Sequence, residues 1–233
     1  FVDYVFVESK DLTIPRIASF YGPLYHNPKL PGKSNNVYIS LRFWSNSGMP
    51  NSKLVMCVTA LGHYVRLKDA SKYQPGASCT NDVLSGSTYN LNESLAFPEV
   101  CEMMKSSQKY FDHIQKNPYL VRGTEWVGYT DTESLYERIK LMNRLGLAGI
   151  ALTKMDEDDF SGNSCQAGKF PLLTFIRKAT SRAIAAHKQM QSASAESTTR
   201  KQMGLLTCVG SDWFCGFQNG LLATLIAVGH FVM

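Results

Sequence analysis

Three short apolar runs limit what this chain can become. Tyr4–Glu8 reads YVFVE, Lys53–Thr59 reads KLVMCVT and Ala148–Leu152 reads AGIAL. Pro50, Asn51 and Gly62 bound the second, and Gly146 precedes the third. Continuous apolar runs separated by helices point to a parallel sheet buried on both faces. Helical periodicity stands between the runs. Asn36–Ser45 carries Val37, Leu41 and Trp44 at i, i+4 and i+7, and Gly48 and Pro50 end that helix. Ahead of the third run, Thr130 and Glu133 fit a capping box. Leu135, Ile139 and Met142 form the stripe expected to be buried, and Gly146 suits the C-terminal cap. Pro171 suits the first turn of a last helix running to about Gln191.

Residues 67–127 break the alternation. They are rich in Ser, Gly, Asn, Tyr and Lys, with one helix-like piece at Pro98–Ser106. The C-terminus changes character again. Gln191–Arg200 (QSASAESTTR) is a polar linker, and Gly220–Met233 (GLLATLIAVGHFVM) is an apolar tail. The tail falls short of the roughly 20 residues a membrane-spanning helix needs. Two readings of it stay open. One is a lipid-anchor signal, with Gly210 and Ser211 as attachment residues and Asp212–Asn219 as the spacer, although Trp213 and Phe214 sit badly in a polar spacer. The other is a packed or disordered tail.

A length of 233 residues, 44% hydrophobic and 18% charged, suits one large domain or two small ones. The net charge of +5 comes without a block of Lys and Arg interleaved with aromatics, so nucleic acid is not an expected partner. Cysteines 57, 79, 101, 165, 208 and 215 contain no C-x-x-C, and the five histidines are scattered. No metal and no cofactor is expected from that pattern. Asn92-Glu93-Ser94 is a glycosylation sequon. An even cysteine count and a sequon lean toward an oxidising, secretory setting.

Residues 117–173 read NPYLVRGTEWVGYTDTESLYERIKLMNRLGLAGIALTKMDEDDFSGNSCQAGKFPLL. This stretch resembles the C-terminal end of glycoside hydrolase family 18, the chitinases and chitinase-like lectins. There a PY-x-x-KG-x-x-WVGYDD stretch precedes the last barrel helix. A strand ending in W-x-x-D-x-DDF-x-G-x-x-C follows, then GK-[FY]-PLL. Residues 94–104 (SLAFPEVCEMM) resemble the family's GFLAYYEIC segment. The resemblance implies a (β/α)8 TIM barrel, of which this chain holds strands six, seven and eight. It divides the chain into partial barrel at 1–66, a small α+β insertion at 67–127, partial barrel at 128–190, and linker with tail at 191–233. Three strands cannot close a barrel, so the expectation is the C-terminal portion of a longer protein, or a truncated product.

Family members hydrolyse β-1,4-linked N-acetylglucosamine with the substrate's own acetamido oxygen as nucleophile, outside the two-carboxylate scheme. Their orienting Asp and acid Glu lie in a D-x-x-D-x-D-x-E motif that this chain lacks. No catalytic residue is therefore expected in it. At the sixth strand the family has M-T-Y-D. The matching residues are Glu8, Ser9, Lys10 and Asp11, so only the Asp remains. At the seventh strand a cleft-reaching Arg is matched by His63, which reads more readily as a loop histidine than as a ligand. At the eighth strand the Trp that floors the sugar site is matched by Thr153, followed by Met155 and Asp156. Lys10, Asp11, His63, Thr153 and Asp156 are the candidate sugar contacts. Asp158 and Asp159 match the DDF segment and read as solvated or helix-capping carboxylates. Trp126 and Tyr129 match WVGY and read as packing residues. The resemblance pairs Cys101 with Cys165. Cys208 and Cys215 suggest a second local bridge, Cys57 reads as a buried apolar residue, and Cys79 as a free thiol.

The expected protein is a secreted, non-hydrolytic chitinase-like protein whose partner is at most chitin or a chito-oligosaccharide. A portion of an active chitinase, and an interaction protein tethered through the C-terminal tail, are the alternatives.

Overall fold

The computed structural model describes residues 2–9, 12–30, 35–80 and 94–181. Lys10, Asp11, Asn92, Cys208, Cys215, the linker and the apolar tail lie outside them. In chain order the elements are β1 (Val5–Val7), α1 (Val37–Asn46), β2 (Leu54–Thr59), β3 (Gly62–Arg66), β4 (Ser94–Leu95), α2 (Phe97–Met104), β5 (Gln108–Asp112), β6 (Asn117–Arg122), β7 (Glu125–Gly128), α3 (Thr132–Leu145) and β8 (Gly149–Thr153). Residues 171–181 are helical after them.

The three apolar runs pair as a parallel sheet in the order β1-β2-β8. Only β2 is buried along its whole length, however. β1 and β8 have a strand neighbour on one side, and every residue of β8 is half-buried, while Phe6 on β1 is 60% exposed. Burial on both faces thus holds for the central strand and not for the edges. Leu54, Met56 and Val58 of β2 pack with Val37 and Leu41 of α1, with Leu135, Ile139 and Met142 of α3, and with Leu172 and Ile176 of the last helix.

The helices confirm the periodic stripes with two corrections. Trp44, the third member of the α1 stripe, is exposed, and its ring meets Phe43 edge-on instead of the sheet. The capping box of α3 is formed by Asp131 and Ser134, one residue beyond Thr130 and Glu133. Asp131 Oδ1 accepts the Ser134 N–H at 2.8 Å, and Ser134 Oγ accepts the Asp131 N–H at 2.9 Å. Thr130 is itself buried. Gly146 ends α3 in the left-handed conformation at φ 65°, as a C-terminal cap requires.

The middle of the chain builds a five-stranded antiparallel sheet, β4-β3-β7-β6-β5. One face packs Tyr64, Leu120 and Val127 with Val100 and Met103 of α2. The other stacks Tyr119 on Trp126 at 5.5 Å, with Phe20 against both rings. β3 starts at Gly62, where a Cβ would come within 2.8 Å of the side chains of Val100 and Val127. Only glycine fits that approach of strand to helix. Cys101 of α2 and Cys165, in the loop after β8, form a disulfide with Cα atoms 5.1 Å apart. This is the pair the resemblance implied.

Candidate functional site at the strand ends

Parallel pairing decides which residues meet. The register sets Val7 beside Met56 and Thr59 beside Thr153, so the residues that follow β1, β2 and β8 share one edge of the sheet. That carboxyl edge is where α/β folds of this type place their sites. A cavity of about 10 Å3 lies there, lined by Ser9, Thr59, Tyr129, Thr130 and Arg138 among others. It has room for a single water. Ser9 Oγ is buried and has no hydrogen-bond partner among the described residues. A larger cavity, about 260 Å3, is lined by residues 13–17, His63, Val65, Cys79 and Thr80. The exposed Arg16 on its lining has a left-handed backbone, φ 62°, uncommon for a residue with a Cβ.

The candidate residues do not converge on one pocket. His63 is not a loop residue: it lies on β3 and is 4% exposed. Its Nδ1 is 2.6 Å from the Ser19 carbonyl oxygen, and its ring centroid is 5.0 Å from that of Tyr21. A carbonyl only accepts, so Nδ1 carries the proton. Thr153 Oγ1 donates to the Val58 carbonyl at 3.2 Å and so is tied to its own sheet. Asp156 is exposed in the short 3-10 turn after β8. His63 lines the larger of these two cavities. Cys79 is buried, its thiol faces the Ala77 carbonyl, and burial pushes that thiol up to about 11. Among the described residues no group of three or more His, Cys, Asp or Glu could hold a metal ion, and no helix is long and apolar enough to cross a membrane.

Asp158 and Asp159 are fully buried rather than solvated, and both cap backbone N–H groups. Asp158 Oδ1 accepts from the Asp159 N–H, and Oδ2 accepts from the Leu173 N–H at the start of the last helix. Asp159 accepts from the N–H groups of Gly162 and Cys165 and from the Ser161 hydroxyl, all at 2.9 Å. Burial raises the pKa of Asp158 despite its bonds. Burial also pushes Asp159 up, but the bonds from Cys165, Ser161 and Gly162 outweigh it and the net shift is downward. A carboxylate with a lowered folded pKa stabilises the fold above the unfolded value, about 3.9, and loses that contribution as pH falls through the folded value. Asp159→Asn is therefore expected to cost about 1–3 kcal/mol near pH 6. Urea unfolding of both forms should show the gap closing as pH drops below 4. A gap that persists at low pH would assign the effect to packing.

No motif or periodicity marks Arg138. This α3 residue is 2% exposed, and its guanidinium donates to the carbonyls of Gly22, Lys116 and Ser134 and to Asn117 Oδ1.

The sequence profile of Glycosyl hydrolases family 18 matches residues 1–158. Chitinase-3-like protein 2 of Homo sapiens is 31% identical over 148 residues, covering 64% of this chain and 38% of that protein. A probable endochitinase of Caenorhabditis elegans is 32% identical over 167 residues, covering 70% of this chain and 27% of that protein. A structure of human YKL-39, described as a pseudo-chitinase with retained chitooligosaccharide binding properties, superposes with a TM-score of 0.73 at 28% identity. It covers 77% of this chain and 51% of that one. This chain thus spans about half or less of the proteins it matches. The neighbours give it a TIM-barrel-type α/β fold, and the chain belongs to glycosyl hydrolase family 18.

Proposed function

We propose that this chain is the C-terminal portion of a secreted chitinase-like protein that binds chito-oligosaccharides at the strand-end rim without hydrolysing them. The observation that carries the reading is Thr153. The family resemblance puts a sugar-flooring indole there, and Thr153 instead gives its hydroxyl to the Val58 carbonyl. The buried His63, bonded to Ser19, supports the same reading, because a ring held to a backbone carbonyl does not replace a guanidinium reaching into a cleft. In this proposal β1, β2 and β8 are the sixth, seventh and eighth barrel strands. The insertion of 67–127 extends back to Gly62, because β3 pairs with β7. Residues 1–61 and 128–190 are barrel, and 191–233 are linker and tail. Lys10, Asp11, Thr153 and Asp156 border the ligand, and Asn92 carries a glycan. The Cys101–Cys165 bridge supports the secretory setting.

The test uses the full-length protein with its native N-terminus. A chromogenic chitobioside should release no product, and calorimetry should find saturable binding of chitotetraose. Thr153→Trp should tighten that binding about fivefold, the worth of one aromatic contact of about 1 kcal/mol. Product release would make the protein an active chitinase. Unchanged affinity in Thr153→Trp would remove Thr153 from the ligand's path.

A further inference from the structure

A further groove lies on the antiparallel sheet and shares no lining residue with the two cavities above. Its volume is about 490 Å3, inside the roughly 300–1,000 Å3 typical of small-molecule sites. Ala70, Tyr73 and Val121 supply apolar surface, and Ser106, Ser107 and Gln108 supply hydrogen-bonding groups. The Tyr73 ring is fixed from behind, because it packs on Tyr110 at 5.0 Å, which stacks on Tyr119 at 5.2 Å. Tyr110 also donates its hydroxyl to Gln108 Oε1 at 2.6 Å, leaving the amide N–H groups of Gln108 as donors. Ser107 donates to the Met103 carbonyl, so its oxygen is left as an acceptor.

Charge decides the ligand class. Lys105 and Arg122 line the groove and Lys72 stands next to Tyr73. Each is paired with a carboxylate three residues away: Lys105 with Glu102 at 2.6 Å, Arg122 with Glu125 at 2.7 Å, and Lys72 with Asp69 at 3.6 Å. Arg122 donates in addition to Ser106 Oγ at 2.9 Å. A polyanion would have to compete with these carboxylates for every cation. A sugar ring needs no net charge. It needs the face of a rigidly held aromatic ring for its C–H groups and polar side chains for its hydroxyls.

We propose that this groove binds one neutral sugar ring, a hexose or N-acetylhexosamine unit, with Tyr73 against the ring and Gln108 and Ser107 on its hydroxyls. The site is independent of the strand-end reading.

The test titrates the full chain with N-acetylglucosamine, galactose and a sulfated disaccharide, followed by saturation-transfer NMR and calorimetry. Two surface variants probe the groove. Ala70→Trp fills it from an exposed position, and Gln108→Ala removes the donor. A neutral sugar should bind with a Kd of about 1 mM. Ala70→Trp should weaken it about tenfold and Gln108→Ala about threefold, typical of losing central and peripheral contacts. The gain of Thr153→Trp for chitotetraose should persist in the Ala70→Trp background, which separates this groove from the strand-end rim. Absence of neutral-sugar binding, binding indifferent to Ala70→Trp, or preference for the sulfated sugar would each overturn the proposal.

Discussion

Replacing Arg138 with Met should destabilise the fold by about 2–4 kcal/mol, because hydrogen bonds to a charged group are worth about 1.5–3 kcal/mol each and it makes several. Its guanidinium holds Gly22 of the segment before α1, Lys116 and Asn117 around the start of β6, and Ser134 one turn back in α3. Removing it takes a donor from Asn117 Oδ1 and from the part-buried Gly22 and Lys116 carbonyls, and each oxygen left unpaired costs about 1–3 kcal/mol. The loss stays below their sum because the substitution also relieves a penalty. Burial pushes the Arg138 pKa down to about 10, and Asp131 only partly opposes that. The side chain is still a cation at neutral pH, bonded to neutral oxygens. Lys at this position keeps the charge but not the planar fork, so Arg138→Lys should fall between wild type and Met. Urea unfolding gives the magnitude. Limited proteolysis should show faster cleavage near residues 20–24 in the Met form. A loss under about 1 kcal/mol would mean that packing alone holds α3 to that segment.

This residue shows why parts of the fold were legible and parts were not. The parallel strands were visible because β2 lies between two neighbours and must be apolar throughout, which leaves a continuous run in the sequence. The α3 stripe and its Gly146 cap were visible because periodicity and caps are local. The capping box slipped by one residue because Thr130–Glu133 and Asp131–Ser134 have the same spacing. Burial of Thr130, a tertiary fact, decided between them. β3 left almost no trace, since it pairs with β7 across some sixty residues, Tyr64 opposite Val127. His63 looked like a loop residue for the same reason. Arg138 looked like an ordinary polar helix residue, because the oxygens it binds are assembled from three separate stretches of chain. Of the candidate contacts, Thr153 and Asp156 fell near the strand-end rim, but proximity in sequence did not say that one would be bonded into the sheet and the other exposed.

Breaking the Cys101–Cys165 bridge is the second large effect. The cysteines are 64 residues apart, and closing a loop of that length in the unfolded chain is worth about 4 kcal/mol in the chain-entropy account. Total stabilities are about 5–15 kcal/mol, so the double Ser variant should lose a large share and melt about 10 °C lower. The entropy of the unfolded chain is only part of the argument, because the two ends are held by different means. Cys101 sits in α2, packed against the antiparallel sheet. Cys165 sits in a loop whose N–H is held by Asp159. Without the bridge, that carboxylate becomes the main tether of the loop. The cost of Asp159→Asn should therefore be larger in the double Ser background than in the bridged protein. A double-mutant cycle measures this directly. Strict additivity would show that the bridge and the carboxylate act on the fold separately. A coupling of about 1 kcal/mol would show that they hold one loop between them.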